Sequence, residues 1–257
     1  MTRKKKTIPG WKALLLMTGI MLLSAGFIYG YMRWKAYRVH FVRYTAFGID
    51  IPLNYNIHGI DVSHHQDVID WEEVKQMNVE DMQLRFAFIK ATEGLSGVDR
   101  LFKRNWYKAR DEGMTRGAYH FFLATKSGKK QADNFIAQVT LEPGDLPPVL
   151  DVEQLYGVKP ATLRIRVQEW LTTIETYYKV KPIIYTNVDF YDQYLGKAFD
   201  AYPLWVAHYL QPNKPRIERP WIFWQHSETG KVNGIRTRVD FNVFNGDSTT
   251  FRRLLLD

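Results

Sequence analysis

No cysteine occurs among the 257 residues. That excludes disulfides, thiolate nucleophiles and cysteine-ligated zinc. It leaves the compartment open, because a domain of this size can bury enough core to fold without covalent staples. Acidic residues are missing from positions 1–43, which carry nine Lys and Arg. The rest of the chain has 26 basic residues against 27 acidic ones, so the formal charge of +8 belongs to the N-terminus. A nucleic-acid binder needs its basic patch on the folded domain, so no nucleic-acid partner is expected. The first strand pattern is not followed by a Gly-rich phosphate loop, which argues against a dinucleotide fold. No G-x-S-x-G elbow is present. No H-x-x-x-H or H-E-x-x-H spacing occurs, and the adjacent His64 and His65 diverge on an extended chain. Neither a metal nor a cofactor is expected.

What is present begins with a basic head, Arg3–Lys6, and an uncharged run from Ala13 to Met32. Twenty apolar residues are about the length that crosses a bilayer core as a helix. Trp11, Tyr29, Tyr31 and Trp34 stand near its ends, where aromatic belts sit. A cleaved signal peptide is the competing reading, with "SAG" at 24–26 as a poor cleavage site inside a run that continues past it. The expectation is an uncleaved anchor with the N-terminus inside, set by the basic head. The domain would then face the periplasm or the exterior. The expected layout is a basic cytoplasmic segment over 1–10, a transmembrane helix over 11–32, a juxtamembrane linker over 33–53 and a catalytic domain over 54–257.

From Ile57 onward, strand and helix patterns alternate. Strands are expected at 57–63, 84–94, 116–122, 147–153, 181–187, 203–209, 221–226 and 238–244. Helices are expected at 70–78, 101–113, 129–139 and 161–179, with a short one at 190–196. Asp70 and Glu73 form a capping box pattern. Alternation of this kind implies βαβ units around a parallel sheet. Eight strands fit an irregular (β/α)8 TIM-like barrel, with helices reduced after the last strands because the late connections are short. An open doubly wound sheet is the alternative.

Polar residues recur at the expected strand ends: Asp61, Glu93, His120, Asp151 and Glu153, Asn187, His208, Gln225, then Asp240 and Asn242. In a barrel such ends converge on one rim, where active sites sit. Asp151 and Glu153 lie two apart and so share a face of an extended strand. Two close carboxyls repel, and their proton affinities separate. One can then donate a proton while the other stays charged, the division of labour that glycoside hydrolysis needs. Spacing alone also fits a salt-bridged strand end. Glu93 fits either the cleft or a basic partner. Tyr119, Tyr185, Trp205 and Trp224 fit either the core or a sugar-stacking groove.

Several motifs together resemble the glycoside hydrolase family 25 lysozymes, or muramidases. They are "GIDVSHHQ" (59–66), "FAFIKATEG" (86–94), "RGAYHFF" (116–122), "PPVLDVE" (147–153), "IIYTN" (183–187), "LWVAHY" (204–209), "FWQHSETGKVNGI" (223–235) and "VDFNVFNG" (239–246), in family order. The resemblance implies a cofactor-free enzyme that cleaves the β-1,4 bond between N-acetylmuramic acid and N-acetylglucosamine in peptidoglycan. By the same resemblance Glu153 matches the general acid, Asp151 its neighbouring carboxylate, and Asp61 and Asp240 further acids of the cleft. The catalytic candidates are therefore Glu153, Asp151 and Asp61. The candidates for substrate contact are Asp240, Tyr119, Tyr185, Trp205, Gln225 and Asn187. Retention of configuration, assisted by the substrate's acetamido group, is the expected route. His65 stands where the family more often has an aromatic residue. Peptidoglycan strands and the membrane are the expected partners, with the protein a monomer. The rival readings are a non-catalytic glycan-binding protein, a membrane-anchored scaffold, and a hydrolase of another N-acetylated polysaccharide.

Overall fold

A computed structural model describes residues 9–257. The Arg3–Lys6 cluster, and all of the expected cytoplasmic segment except Pro9 and Gly10, lie outside the described residues. The chain divides into two units, one mostly residues 1–39 and the other holding 40–211 and 215–257.

The described part of the first unit is mostly one helix, α1, Gly10–Tyr37. Twenty-eight residues extend about 42 Å, more than the roughly 30 Å of a bilayer core. Its apolar side chains, Leu14 through Met32, are exposed on every side. The two hydroxyls in the run bond back into the helix, Thr18 Oγ1 to Leu14 O at 3.0 Å and Ser24 Oγ to Ile20 O at 2.8 Å. α1 is long and apolar enough to cross a membrane.

The second unit is a closed eight-stranded barrel. Its strands are β1 His58–Val62, β2 Met82–Glu93, β3 Thr115–Phe121, β4 Val149–Asp151, β5 Ile183–Asn187, β6 Leu204–Ala207, β7 Phe223–Gly230 and β8 Val239–Phe244. Neighbours pair in chain order, and β1 pairs with both β2 and β8, which closes the ring. Helices follow the early strands: α2 Trp71–Gln76, α3 Phe102–Asp111, α4 Gly128–Gln138 and α5 Pro160–Tyr178. Between β5 and β6 lie only short helical turns, Val188–Phe190, Tyr191–Leu195 and Gly196–Phe199. A last helix, α6 Ser248–Leu254, follows β8.

The barrel departs from an all-parallel (β/α)8 ring at β8, which runs antiparallel to both β7 and β1. The β7–β8 connection spans residues 231–238, too short for a crossover, which needs a dozen or more residues. The reversal brings the start of β8, rather than its end, to the rim where β1 finishes.

Residues 33–53, expected as a linker, hold the end of α1 and a β-hairpin of Phe41–Tyr44 with Ile49–Pro52. Gly48 takes φ +69 at its turn, a conformation open to glycine at no steric cost. Phe47, fully buried at the tip, meets Phe241 edge-on at 5.2 Å. Phe41 meets Trp224 edge-on at 6.1 Å. The hairpin thus covers the outer face of β7 and β8.

The barrel interior is aromatic. Phe86 and Phe88 from β2 fill it with Trp205, Phe223 and Phe244, and Phe251 of α6 packs against the same cluster. Strand alternation sends residues 86, 88 and 90 inward. Room for the two rings comes from glycines on the flanking strands. A Cβ on Gly59 or Gly117 would meet Phe86 or Phe88, respectively, at 2.5 Å. Phe88 stacks on Trp205 at 4.3 Å, and that layer is the floor on which the polar rim stands.

Candidate active site

Above this floor opens a cleft of about 450 Å³. A larger cavity, about 580 Å³, lies between α2, α3 and residues 234–236 and contains none of the site residues. The cleft brings together Asp61, Asp151, Glu153, Asp240, Tyr119, Tyr185, Trp205 and Gln225. Asn187 is not among its lining residues. Its Oδ1 accepts from Phe190 N at 2.8 Å and caps the short turn after β5. Asn-x-x before an apolar turn is a capping pattern that the sequence already displays.

The acids form two pairs. Asp61 and Asp240 face each other in register across β1 and β8, and their carboxyls share a hydrogen bond. Asp61 Oδ2 also accepts from Gln225 Nε2 at 2.8 Å and from Asn242 Nδ2 at 2.7 Å. Gln225 Oε1 in turn accepts from Tyr185 OH at 2.6 Å and from Tyr209 OH. Asn242 Oδ1 accepts from Trp205 Nε1 at 2.7 Å. Burial raises the pKa of Asp61, and the amide contacts oppose it. Burial, then the charge of Asp61, pushes Asp240 up to about 9.

Asp151 and Glu153 form the second pair. β4 ends at Asp151, and Glu153 follows on the loop beyond it. Their carboxyls also share a hydrogen bond. Asp151 is as buried as Asp61, each 7% exposed, but its Oδ1 has no partner. Burial and the neighbouring Glu153 hold the Asp151 carboxyl well above the usual range, with Lys90 pulling the other way. Burial raises Glu153 too, and the bond to Asp151 opposes the rise. The proton of this pair is thus drawn toward Asp151. Such a pair offers one proton and one negative charge side by side, the equipment of an acid–base catalyst.

Strand-end position over-predicts the site. His120 points away from the cleft, into a buried contact with Thr92 at 2.7 Å and Gln131 at 3.3 Å. Burial lowers its pKa to about 3, so it stays neutral. His208 accepts from Arg216 N at 3.2 Å, outside the cleft lining. Trp224 is buried in the outer wall, its Nε1 donating to His208 O. Glu93 pairs with a base, Lys90, at 2.7 Å.

Among the cleft residues that carried no assignment from sequence are Lys90, Tyr209 and Glu228. Two carried a signal. Lys90 follows Phe86 and Phe88 at period two, and Tyr209 follows Trp205 and Ala207, so alternation puts both on the inward face. Lys90 is buried, with its Nζ 4.8 Å from the centre of the Phe121 ring.

Comparison with known proteins identifies the family and the fold. The profile described as glycosyl hydrolases family 25 matches residues 60–235. YegX of Escherichia coli (strain K12) is 47% identical over 211 residues, covering 81% of this chain and 78% of its own. Lysozyme M1 of Streptomyces globisporus is 35% identical over 212 residues, covering 75% and 69%. A solved family 25 glycosyl hydrolase from Bacillus anthracis superposes with a TM-score of 0.73 at 33% identity, covering 85% of this chain and 98% of that one.

Proposed function

The chain belongs to glycosyl hydrolase family 25, and from that premise we propose that it is a membrane-anchored lysozyme. Its substrate is the β-1,4 bond between N-acetylmuramic acid and N-acetylglucosamine in peptidoglycan. The observation that carries this reading is the Asp151–Glu153 pair, joined by one hydrogen bond in an aromatic-floored cleft. A glycan-binding protein or scaffold on the same barrel would not need these acids.

Glu153 serves as general acid and Asp151 as the charge stabiliser. Asp151 Oδ1 is buried and lacks a donor. The acetamido N–H of a bound sugar supplies one. That contact stabilises the ionised form of Asp151 and moves the shared proton to Glu153. Glu153 then protonates the leaving oxygen while the acetamido carbonyl oxygen attacks the anomeric carbon. Asp151 faces the positive ring so formed. Glu153, now ionised, takes a proton from water, which opens the ring with net retention. Asp151 and Glu153 adjoin at the end of β4, whereas the two carboxyls of a two-carboxylate mechanism flank the scissile bond. Their proximity favours the acetamido as nucleophile.

α1 holds the enzyme at the membrane with its N-terminus inside, and the barrel lies outside the cytoplasm, where peptidoglycan is. Alkaline phosphatase fused after Asp257 should be active, and an inactive fusion would reverse that orientation. The full-length protein in detergent, given purified peptidoglycan, should release muropeptides with reducing muramic acid ends. Glu153→Gln should cut the rate by about 10²–10⁴. No release by the intact protein, or equal release by the variant, rejects the lysozyme reading. A product of inverted configuration rejects the acetamido route alone.

A further inference from the structure

Asp61 and Asp151 are equally buried, yet only Asp61 is held by side-chain amides. Those amides cannot turn over freely. An indole N–H only donates, so Trp205 Nε1 keeps the Asn242 oxygen on its own side and turns the NH₂ toward Asp61. Two tyrosine hydroxyls, Tyr185 and Tyr209, converge on Gln225 Oε1 and direct its NH₂ the same way. N–H groups aimed at a carboxylate oxygen favour its ionised form. Asp240 faces Asp61 directly and has the charge of Glu228 nearby.

We propose that Gln225 and Asn242 are positioning residues, locked by Tyr185, Tyr209 and Trp205, that fix the negative charge on Asp61 and leave the proton shared by the two aspartates on Asp240. Neither amide is then a sugar contact. Their work is to make Asp61 a permanent anion beside the reacting sugar. The proton on Asp240 is spent on Asp61, so the proton for the leaving oxygen must come from Asp151–Glu153. The titratable groups around the pair are Glu228 on β7, Asp151 and Glu153 at the end of β4, Tyr119 on β3, Tyr185 on β5 and Tyr209 after β6. Lys90 on β2 is the cation, and it acts on Asp151.

The test is a ¹³C-carboxyl titration of aspartate-labelled full-length protein in detergent, with Asp61 and Asp240 assigned through Asp61→Asn and Asp240→Asn. Asp61 should ionise at lower pH than Asp240. Asn242→Leu and Gln225→Leu should each raise the Asp61 midpoint by about one pH unit, and Trp205→Phe by less. Asn242→Ser, which keeps a donor, should restore part of the shift. The kinetic arm rests on the lysozyme reading. There the acidic limb of kcat/KM should move with Asp61 in both amide variants while KM stays level. Asp61 ionising after Asp240 in the unmodified protein overturns the proposal even if a variant fails to fold. So does an unmoved Asp61 midpoint in both amide variants. Absence of muropeptide release with the titration order intact rejects the lysozyme reading and leaves the clamp standing.

Discussion

The two carboxyl pairs of the cleft are built from the same chemistry and held in opposite ways. Asp61–Asp240 lies between two antiparallel strands, and Asp61 takes two amide donors whose own oxygens are pinned. Asp151–Glu153 lies at the end of one short strand, with Asp151 Oδ1 buried and unpartnered. A buried polar atom without a partner is costly. The unpaired acceptor sits where a substrate amide is proposed to bind, which is where such strain is useful. The difference teaches that a proton can be immobilised by surrounding it with fixed donors, or left transferable by withholding them. The first pair has a settled charge. The second is poised to change hands.

Three substitutions break or sharpen this contrast. The largest effect on activity is expected from Asp151→Asn. It removes the uncompensated carboxyl, so muropeptide release should fall by about 10²–10³ while the melting temperature rises. A fall in both would show that Asp151 is part of the scaffold rather than the strained half of a working pair.

Asp240→Asn should have a smaller effect, a loss of less than about tenfold at neutral pH, because an amide N–H can replace the carboxyl proton toward Asp61. Its signature is in stability. The Asp240 pKa is raised from 3.8 to about 9 in the fold, so the folded state binds this proton more tightly than the unfolded chain. That contribution is full below about pH 4 and is lost as pH rises toward 9. The variant should therefore match the parent at pH 4 and melt several degrees higher at pH 8. Equal melting at both pH values would mean that Asp240 is not held protonated.

Phe47→Ala is the control far from both pairs. Emptying the hairpin's buried anchor should destabilise the barrel unit by about 3–5 kcal/mol in denaturant unfolding. Activity per folded molecule and its pH profile should stay where they were. A shifted profile would tie the outer wall to the charges inside.

Much of the scaffold was legible because a barrel strand writes a short apolar run between polar ends. All eight expected strands overlap the observed ones, and the carboxyls at 61, 151, 153 and 240 meet in one cleft. The hairpin at 41–52 was harder to see. Its strands are four residues each, and the basic residues around them read as a linker beside an apolar helix. The direction of β8 was hidden because an apolar alternation reads the same whichever way the strand runs. Asn187 was misdirected by position, because a cap consumes it, while Gln225 lines the cleft with its amide turned onto Asp61; a polar residue's partner is chosen by three-dimensional neighbours.

By itself the sequence determined the apolar helix, the ordered strands and the family, because each is a matter of local spacing or of motifs in order. Only the tertiary structure decided that Asp240 meets Asp61, that Gln225 and Asn242 turn their amides onto it, and that Asp151 keeps a bare oxygen. Those facts depend on barrel closure through a reversed strand. Closure brings together residues 164 and 181 positions apart in the chain, a separation at which hydrogen-bond geometry leaves no trace in spacing.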